Sequence, residues 1–191
     1  MHKKLNAGST IPNFATNTVN GSYFEMKLVL NKKLLISFYR YASCPMCNQH
    51  FDDCMTRQGL FVENNVIHIA IFESGKNNFP KKITDQQFKN LVIIGDGEKR
   101  LYDLYGIENS ILKAFHPQAY AGRAEAFVKG YRPGFADGSL TTVPAHFLVN
   151  PGGVIHTAHY GRHISDNIKW RAMEDFVMSD VGDETKTKIM G

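Results

Sequence analysis

The residues best suited to chemistry in this chain are Cys44-Pro45-Met46-Cys47, followed closely by His50 and Cys54. A C-x-x-C pair at the start of a helix has a specific physical logic. The unpaired N–H groups and partial positive charge of a helix N-terminus stabilise a thiolate, the nucleophilic form of the sulfur. Residues three apart on a helix are neighbours, so Cys44 and Cys47 lie within disulfide reach. One sulfur attacks and the other resolves the adduct. Pro45 limits the freedom of the intervening loop. The expectation is a redox pair formed by Cys44 and Cys47.

Cys54 stands seven residues beyond Cys47, about 10 Å along a straight helix and outside disulfide reach. It reads as a small core residue on the inner helix face, with a third redox thiol as the sharper alternative. Cys44, Cys47, His50 and Cys54 are four zinc ligands by type. On one helix they lie along a stripe instead of converging on a point, so no metal and no other cofactor is expected. His50 is expected on the helix surface or in packing, close enough to Cys47 to tune a pKa. His156, His159 and His163 also suggest a metal at first sight. Yet His156 and His159 are three apart on an expected strand, which points them to opposite faces and favours surface or packing roles.

The elements that must position the cysteines follow from apolar patterning. The run 34–39, Leu-Leu-Ile-Ser-Phe-Tyr, fits a buried central strand. After it Ser43 is a candidate N-cap, and Pro45 suits a first helical turn. That helix is expected to run through Phe51 and Met55 towards Leu60. Residues 66–72 form the clearest strand, 85–90 look helical, and 91–94 make a third strand ending at Gly95-Asp96-Gly97. Leu101, Leu104 and Tyr105 then recur at helical spacing. The alternation favours an α/β fold, a sheet with helices packed against it.

Residues 107–139 break this rhythm with two helical pieces around His116-Pro117 and the Gly/Pro-rich stretch 130–134. They read as an insertion over the sheet, about 107–140. Two strands follow, 145–149 and 154–160, joined by Asn150-Pro151-Gly152-Gly153 in a hairpin. Residues 168–178 form a last amphipathic helix. The expected organisation is one domain over 1–178, opening with a lead-in loop over 1–22 that holds at most one short strand. A polar, frayed tail covers 179–191. Pro144 enters the strand at 145, where proline is tolerated only at the first position, and is a candidate for a cis bond. In a thioredoxin-like layout that loop lies beside the cysteines and offers backbone groups to an incoming chain.

Composition sets the outer bounds. The 191 residues are 43% hydrophobic and 21% charged, with 13 Phe and 8 Tyr to fill a core. A net charge of +4 carried by scattered lysines describes a solvated surface and no nucleic-acid footprint. No apolar run approaches the roughly 20 residues that cross a bilayer, so no membrane partner is expected. The N-terminus lacks the apolar core of a signal peptide, and three clustered cysteines are too few for a secreted disulfide framework. A cytoplasmic location is the default expectation.

Several segments together resemble the AhpC/TSA-type, peroxiredoxin-like branch of the thioredoxin superfamily. Gly8-Ser9-Thr10-Ile11-Pro12-Asn13-Phe14 is similar to that family's opening G-x-x-x-P-x-F. Ser37-Phe38-Tyr39-Arg40 leads into the cysteine motif. Val143-Pro144-Ala145-His146-Phe147-Leu148-Val149-Asn150-Pro151-Gly152-Gly153-Val154-Ile155 resembles the family's P-A-x-F-L-I-D-P-x-G-x-I. The resemblance covers about 7–176 and implies a central mixed sheet flanked by helices, with the helical insertion before the last hairpin. It also implies a disulfide or peroxide substrate, protein or small molecule. With this goes a thiol electron donor such as thioredoxin, glutaredoxin or glutathione, and compatibility with a homodimer.

The chain departs from the family at two points. The peroxidatic signature P-x-x-x-T-x-x-C places Cys44 at the threonine if Cys47 is the peroxidatic cysteine. It places Tyr41 there if Cys44 is. The arginine just before the late strand is missing, Pro144 lying near that point, and Arg40, Arg123 and Arg132 are the candidates to replace it. Both losses weaken the polarisation of a peroxide O–O bond. The leading expectation is therefore dithiol exchange by Cys44 and Cys47, supported by Pro45, Pro144 and Arg40. A thiol peroxidase is the second reading, and a non-catalytic thioredoxin-like binding module the third.

Overall fold

In the run 34–38 every residue is buried, with alternate side chains feeding opposite faces, so this segment can only be the centre of a sheet. The computed structural model describes residues 3–85 and 89–179. Strands β1 (Ala15–Asn17) and β2 (Tyr23–Glu25) form a separate antiparallel pair, so the lead-in does contain one short strand. The central strand β3 (Lys33–Phe38) is followed by α1 (Pro45–Met55) and α2 (Gln58–Glu63). Next come β4 (Val66–Phe72), α3 (Lys81–Thr84), β5 (Leu91–Gly95) and α4 (Arg100–Leu104). The insertion supplies α5 (Ile111–Ala114) and α6 (Pro117–Val128), and β6 (Ala145–Val149), β7 (Ile155–Tyr160) and α7 (Trp170–Met178) complete the order.

The main sheet runs β5-β4-β3-β6-β7. Strands β3, β4 and β5 are parallel, whereas β6 lies antiparallel to β3 and β7 antiparallel to β6. This is the expected mixed sheet. On one face Ile36, Phe38, Ile71 and Phe147 pack against Leu101, Tyr102 and Tyr105. Phe38 sits at the centre of that layer, 5.1 Å from the Tyr102 ring and 5.0 Å from the Tyr105 ring. The opposite face carries Leu35 and Leu148 against Cys54, Phe61 and Phe176. Further along it, Tyr39, Ala70 and Phe72 meet Cys47, Phe51 and the insertion's Ala119 and Ala126.

Three expectations need correction. The first helix stops at Met55 instead of continuing to Leu60, because Arg57 leaves the helical region with ψ at 13°. The Thr56 hydroxyl and the Arg57 guanidinium donate to the carbonyl of Asp53, satisfying a group the break frees. Next, His156 and His159 do not face opposite sides. A bulge opposite Leu148/Val149 shifts the register of β7. The His156 ring then lies 5.3 Å from Phe176, and the His159 ring 6.0 Å from His146, both on the face that carries α7 and α1. Finally, the helix expected over 85–90 falls partly on 86–88, outside the described residues, and the helix the structure does describe there is α3. The tail expected over 179–191 likewise lies outside them beyond Ser179.

The two helical pieces around His116-Pro117 are α5 and α6, with His116 as N-cap and Pro117 in the first turn of α6. The insertion is seated on the same face as α1. Gln49 donates to Glu125 at 2.9 Å, and Tyr131 donates to Asp52 at 2.9 Å. At Gly122 a Cβ would come within 2.5 Å of both Cβ and Oγ of Ser165, so α6 touches the segment after β7 with no side chain to spare. Gly122→Ala tests this seating. Alanine gains about 1 kcal/mol of helix propensity over glycine. Overpacking at such a contact costs about 1–3 kcal/mol, and the steric term should win. The expected result is a lower denaturation midpoint, and a raised one would mean that α6 does not press on Ser165.

Candidate active site around Cys44 and Cys47

The chain leaves β3 at Phe38 and is kept in line with the sheet for one more residue by a Tyr39 N–H bond to the Ile71 carbonyl, 2.8 Å. It then turns. Ala42 N–H donates to the Ser74 hydroxyl at 2.8 Å, and Cys44 N–H to the Tyr41 carbonyl at 3.0 Å. The N-cap of α1 is Cys44, not Ser43. A residue that precedes proline is driven to extended backbone, which is the N-cap conformation, and Cys44 adopts it with φ −71° and ψ 121°. Its sulfur accepts the Cys47 N–H at 3.4 Å. The Ser43 hydroxyl instead donates to the carbonyl of Phe135 in the insertion.

Arg40 joins both sulfurs. Its Nη2 donates to Cys44 Sγ at 3.0 Å, and its backbone N–H donates to Cys47 Sγ at 3.4 Å. The side chain is only 2% exposed. Nη1 is held by the Leu140 carbonyl at 2.9 Å, while Nε has no hydrogen-bond partner among the described residues. Among the three arginines considered as replacements for the missing one, Arg40 is the one that reaches a cysteine. Arg132 stacks on the Phe127 ring at 3.8 Å, and Arg123 lies over Tyr120.

These contacts drive the two thiols apart in acidity. Burial alone pushes Cys44 up, but the neighbouring Cys47 thiol, the Arg40 charge and the Cys47 N–H bring it down to about 6. Burial also pushes Cys47 up, and the Cys44 thiol and its negative charge push it further, well above an ordinary cysteine. The Arg40 guanidinium stays charged: burial works against it most strongly, yet the negative charges of Cys44, Cys47 and Tyr41 and the hydrogen bond to Cys44 together outweigh that.

A residue that sequence reasoning missed holds the arginine in place. Glu73 follows β4 directly, with its side chain fully buried, and pairs with Lys99 at 3.0 Å. It accepts the Ser139 N–H at 2.6 Å and the Thr142 hydroxyl. These bonds fix 139–142, the segment whose Leu140 carbonyl receives Arg40. An acidic residue closing a long apolar strand was the available signal.

Above the cysteines is a cavity of about 350 Å³ between the 40–46 turn and α6. Its walls include Arg40, Tyr41, Pro45, Met46, Arg123, Phe127 and Tyr131. Cys44 is fully buried and Cys47 2% exposed, and the cavity reaches them through Arg40, which lines it and hydrogen-bonds to Cys44 Sγ. Both cysteines are free thiols.

Pro144 opens β6 as expected, but no cis bond is found among the described residues. Several backbone groups of its loop, expected to face an incoming chain, are instead bonded within the protein. Val143 N–H bonds to the Glu108 carbonyl at 3.1 Å, Ser110 N–H to Thr141 at 2.9 Å, and Gly161 N–H to Pro144 at 2.9 Å. The start of the insertion has taken that edge, with Asn109 bridged to Thr142.

His50 is a packing residue. It bonds to the Tyr39 hydroxyl at 3.0 Å and lies against the Ile168 carbonyl at 3.3 Å, and burial lowers its pKa to about 4, which keeps it neutral. Cys54 is fully buried beside it, pushed up to about 12 by that burial. No group of three or more His, Cys, Asp or Glu suited to a metal ion exists among the described residues.

Known proteins place this geometry in a family. The sequence profile of the AhpC/TSA family matches residues 7–158. A Helicobacter pylori protein described as the peroxiredoxin bcp is 22% identical over 158 residues, covering 83% of this chain and 90% of its own length. The peroxidoxin BcpB of Mycobacterium tuberculosis superposes with a TM-score of 0.62 at 12% identity, over 91% of this chain and 94% of that one. The thioredoxin domain of a thiol-disulfide oxidoreductase from Bacteroides vulgatus superposes with a TM-score of 0.52 at 17% identity, over 91% and 99%. At these identities the superpositions establish the thioredoxin-like fold. With the family profile spanning most of its length, the chain belongs to the AhpC/TSA family, peroxiredoxin-like thiol-dependent oxidoreductases of the thioredoxin superfamily.

Proposed function

We propose that the protein is a thiol-disulfide oxidoreductase in which Cys44 is the nucleophile and Cys47 the resolving thiol. The observation that carries this reading is the placement of the Arg40 guanidinium on Cys44 Sγ at 3.0 Å while Cys47 Sγ receives only the neutral Arg40 N–H, which favours the thiolate on Cys44. Cys44, as thiolate near neutral pH, attacks one sulfur of a substrate disulfide and expels the other as a thiolate. Cys47 then gives up its proton and attacks Cys44. The second half of the substrate leaves as a thiolate and a Cys44–Cys47 disulfide remains. Loss of the Cys44 negative charge in the mixed disulfide removes one of the causes that hold the Cys47 proton. A thiol donor of the thioredoxin, glutaredoxin or glutathione kind returns the two electrons.

One observation favours a second reading, a thiol peroxidase. Arg40 Nη2 at 3.0 Å from Cys44 Sγ provides the cationic donor that the sequence lacks before its late strand. In that reaction Cys44 attacks a peroxide oxygen, forming a sulfenic acid and releasing an alcohol or water. Condensation with the Cys47 thiol then releases a second water and forms the same disulfide.

The ultraviolet thiolate absorbance of the reduced protein should show one sulfur titrating at about pH 6 and none of the others below an ordinary cysteine. As pH falls through that midpoint, Cys44 protonates and the rate of disulfide reduction should fall with it. Arg40→Gln should raise the midpoint; a rise of two units would cut the thiolate fraction at pH 7 roughly tenfold. An unmoved midpoint would remove Arg40 from the account.

Cys44→Ser should abolish disulfide reduction, whereas Cys47→Ser should accumulate a mixed disulfide on Cys44 that mass spectrometry detects. Turnover unchanged by Cys44→Ser would sink the assignment. Stopped-flow oxidation by peroxide separates the two readings, and a rate no better than that of free cysteine excludes the peroxidase.

A further inference from the structure

The cavity beside Cys44 has a chemical character that the proposed reaction does not by itself require. Its volume of about 350 Å³ lies near the lower end of small-molecule sites, about 300–1,000 Å³, and leaves no room for a folded chain. The edge beside Pro144, where an extended chain would add to the sheet, is closed by bonds to 108–110 and 161. The cavity walls are mainly apolar and aromatic, from Tyr41, Met46, Phe127 and Tyr131.

Two cations also line the cavity, and no carboxylate does. Arg40 is spoken for at Nη1 and Nη2, but its buried Nε–H has no partner. Arg123, exposed on α6, pairs with no carboxylate among the described residues; its guanidinium carbon lies 5.4 Å from the Tyr120 ring, and its charge also acts on the Tyr41 hydroxyl across the cavity. The acidic groups nearest in sequence are engaged elsewhere, Glu125 by Lys129 and Gln49. A guanidinium at the rim of an apolar cavity, without a counter-charge of its own, is matched by a carboxylate on the ligand.

We infer that the substrate is a small organic disulfide carrying a carboxylate, its apolar body in the cavity and its carboxylate on Arg123. This rests on the reading of Cys44 and Cys47 as a dithiol pair and adds what that pair selects. The electron balance is that of the proposed reaction. Cys44 and Cys47 are oxidised to a disulfide, and the substrate disulfide is reduced to two thiols, at least one of them anionic at its carboxylate.

Two aromatic disulfides of similar size separate selection from reactivity: the dicarboxylate dithiobis(nitrobenzoate) and the uncharged dithiodipyridine. Each is offered to the reduced protein, and the ratio of the two rates is divided by the same ratio for mercaptoethanol, a neutral thiol with no site. That normalised ratio should favour the dicarboxylate. It should fall about threefold to tenfold in Arg123→Gln, the range for a partly exposed charged hydrogen bond, and recover in part in Arg123→Lys. Arg171→Gln, which removes the same charge from an exposed position on α7, should leave the ratio unchanged, and added salt should lower it. If both probes react faster than with mercaptoethanol but the ratio ignores Arg123→Gln, the carboxylate inference is overturned and the dithiol reading stands. If neither probe outpaces mercaptoethanol, the dithiol reading itself fails.

Discussion

A guanidinium buried against a sulfur is the constraint around which this molecule is arranged. Taking a charged arginine almost wholly out of water is costly unless its hydrogen bonds and its charge are both answered. Arg40 is answered by a carbonyl and by Cys44. The sulfur can only do this well as a thiolate, so the arginine's burial and the cysteine's acidity are one fact seen from two sides. The carbonyl, in turn, belongs to a segment that Glu73 anchors from beneath through Ser139 and Thr142. Glu73 is itself buried and answered by Lys99. The three elements share one electrostatic solution: the turn after β3, the end of β4 and the end of the insertion.

That arrangement also decides which of two similar sulfurs is acidic. Both lie at the start of α1 and both are buried, so burial and the helix dipole alone would treat them alike. Cys44 receives the cationic side chain and the Cys47 N–H. Cys47 receives the neutral backbone N–H of Arg40 and faces the charge on Cys44. Two interacting groups at this range do not ionise independently; once the first carries the charge, the second is penalised. Proline contributes by making Cys44, rather than Ser43, the capping residue. The proline therefore sets the backbone at the helix start and makes Cys44 the cap whose sulfur accepts the Cys47 N–H.

Much of the fold was legible in the sequence where the signal is local. The runs 34–39 and 66–72, the Asn150-Pro151-Gly152-Gly153 turn and the two helical pieces around His116-Pro117 each declare their element within a few residues, and strands, turn and helices are found there, the first strand ending at Phe38. The C-x-x-C spacing likewise named two sulfurs that lie side by side in the structure, Cys44 Sγ accepting the Cys47 N–H. What was hidden is what depends on distant chain. Leu140 reaches Arg40 across 100 positions, and Ser139 reaches Glu73 across 66. The bulge that turns His156 and His159 to one face depends on the pairing of β7 with β6, not on the spacing of the histidines. The free edge expected at Pro144 failed for the same reason: residues 108–110, more than 30 positions earlier in the chain, return to occupy it.

The closed edge and the buried sulfur belong together. An open edge beside Pro144 would admit extended chains, and with them water close to Arg40 and Cys44. Water would screen the guanidinium, and an ion pair that is strong at low effective dielectric would weaken several-fold. By folding the insertion over that edge, the chain keeps the pair buried, and the 350 Å³ cavity meets it at Arg40. The same insertion then supplies the wall opposite the cysteines, including Phe127, Tyr131 and Arg123. The segment that shields the thiolate thus also shapes the cavity through which a substrate would approach it. Access to Cys44 is restricted by the same packing that lowers its pKa, so opening the site to larger partners would raise that pKa.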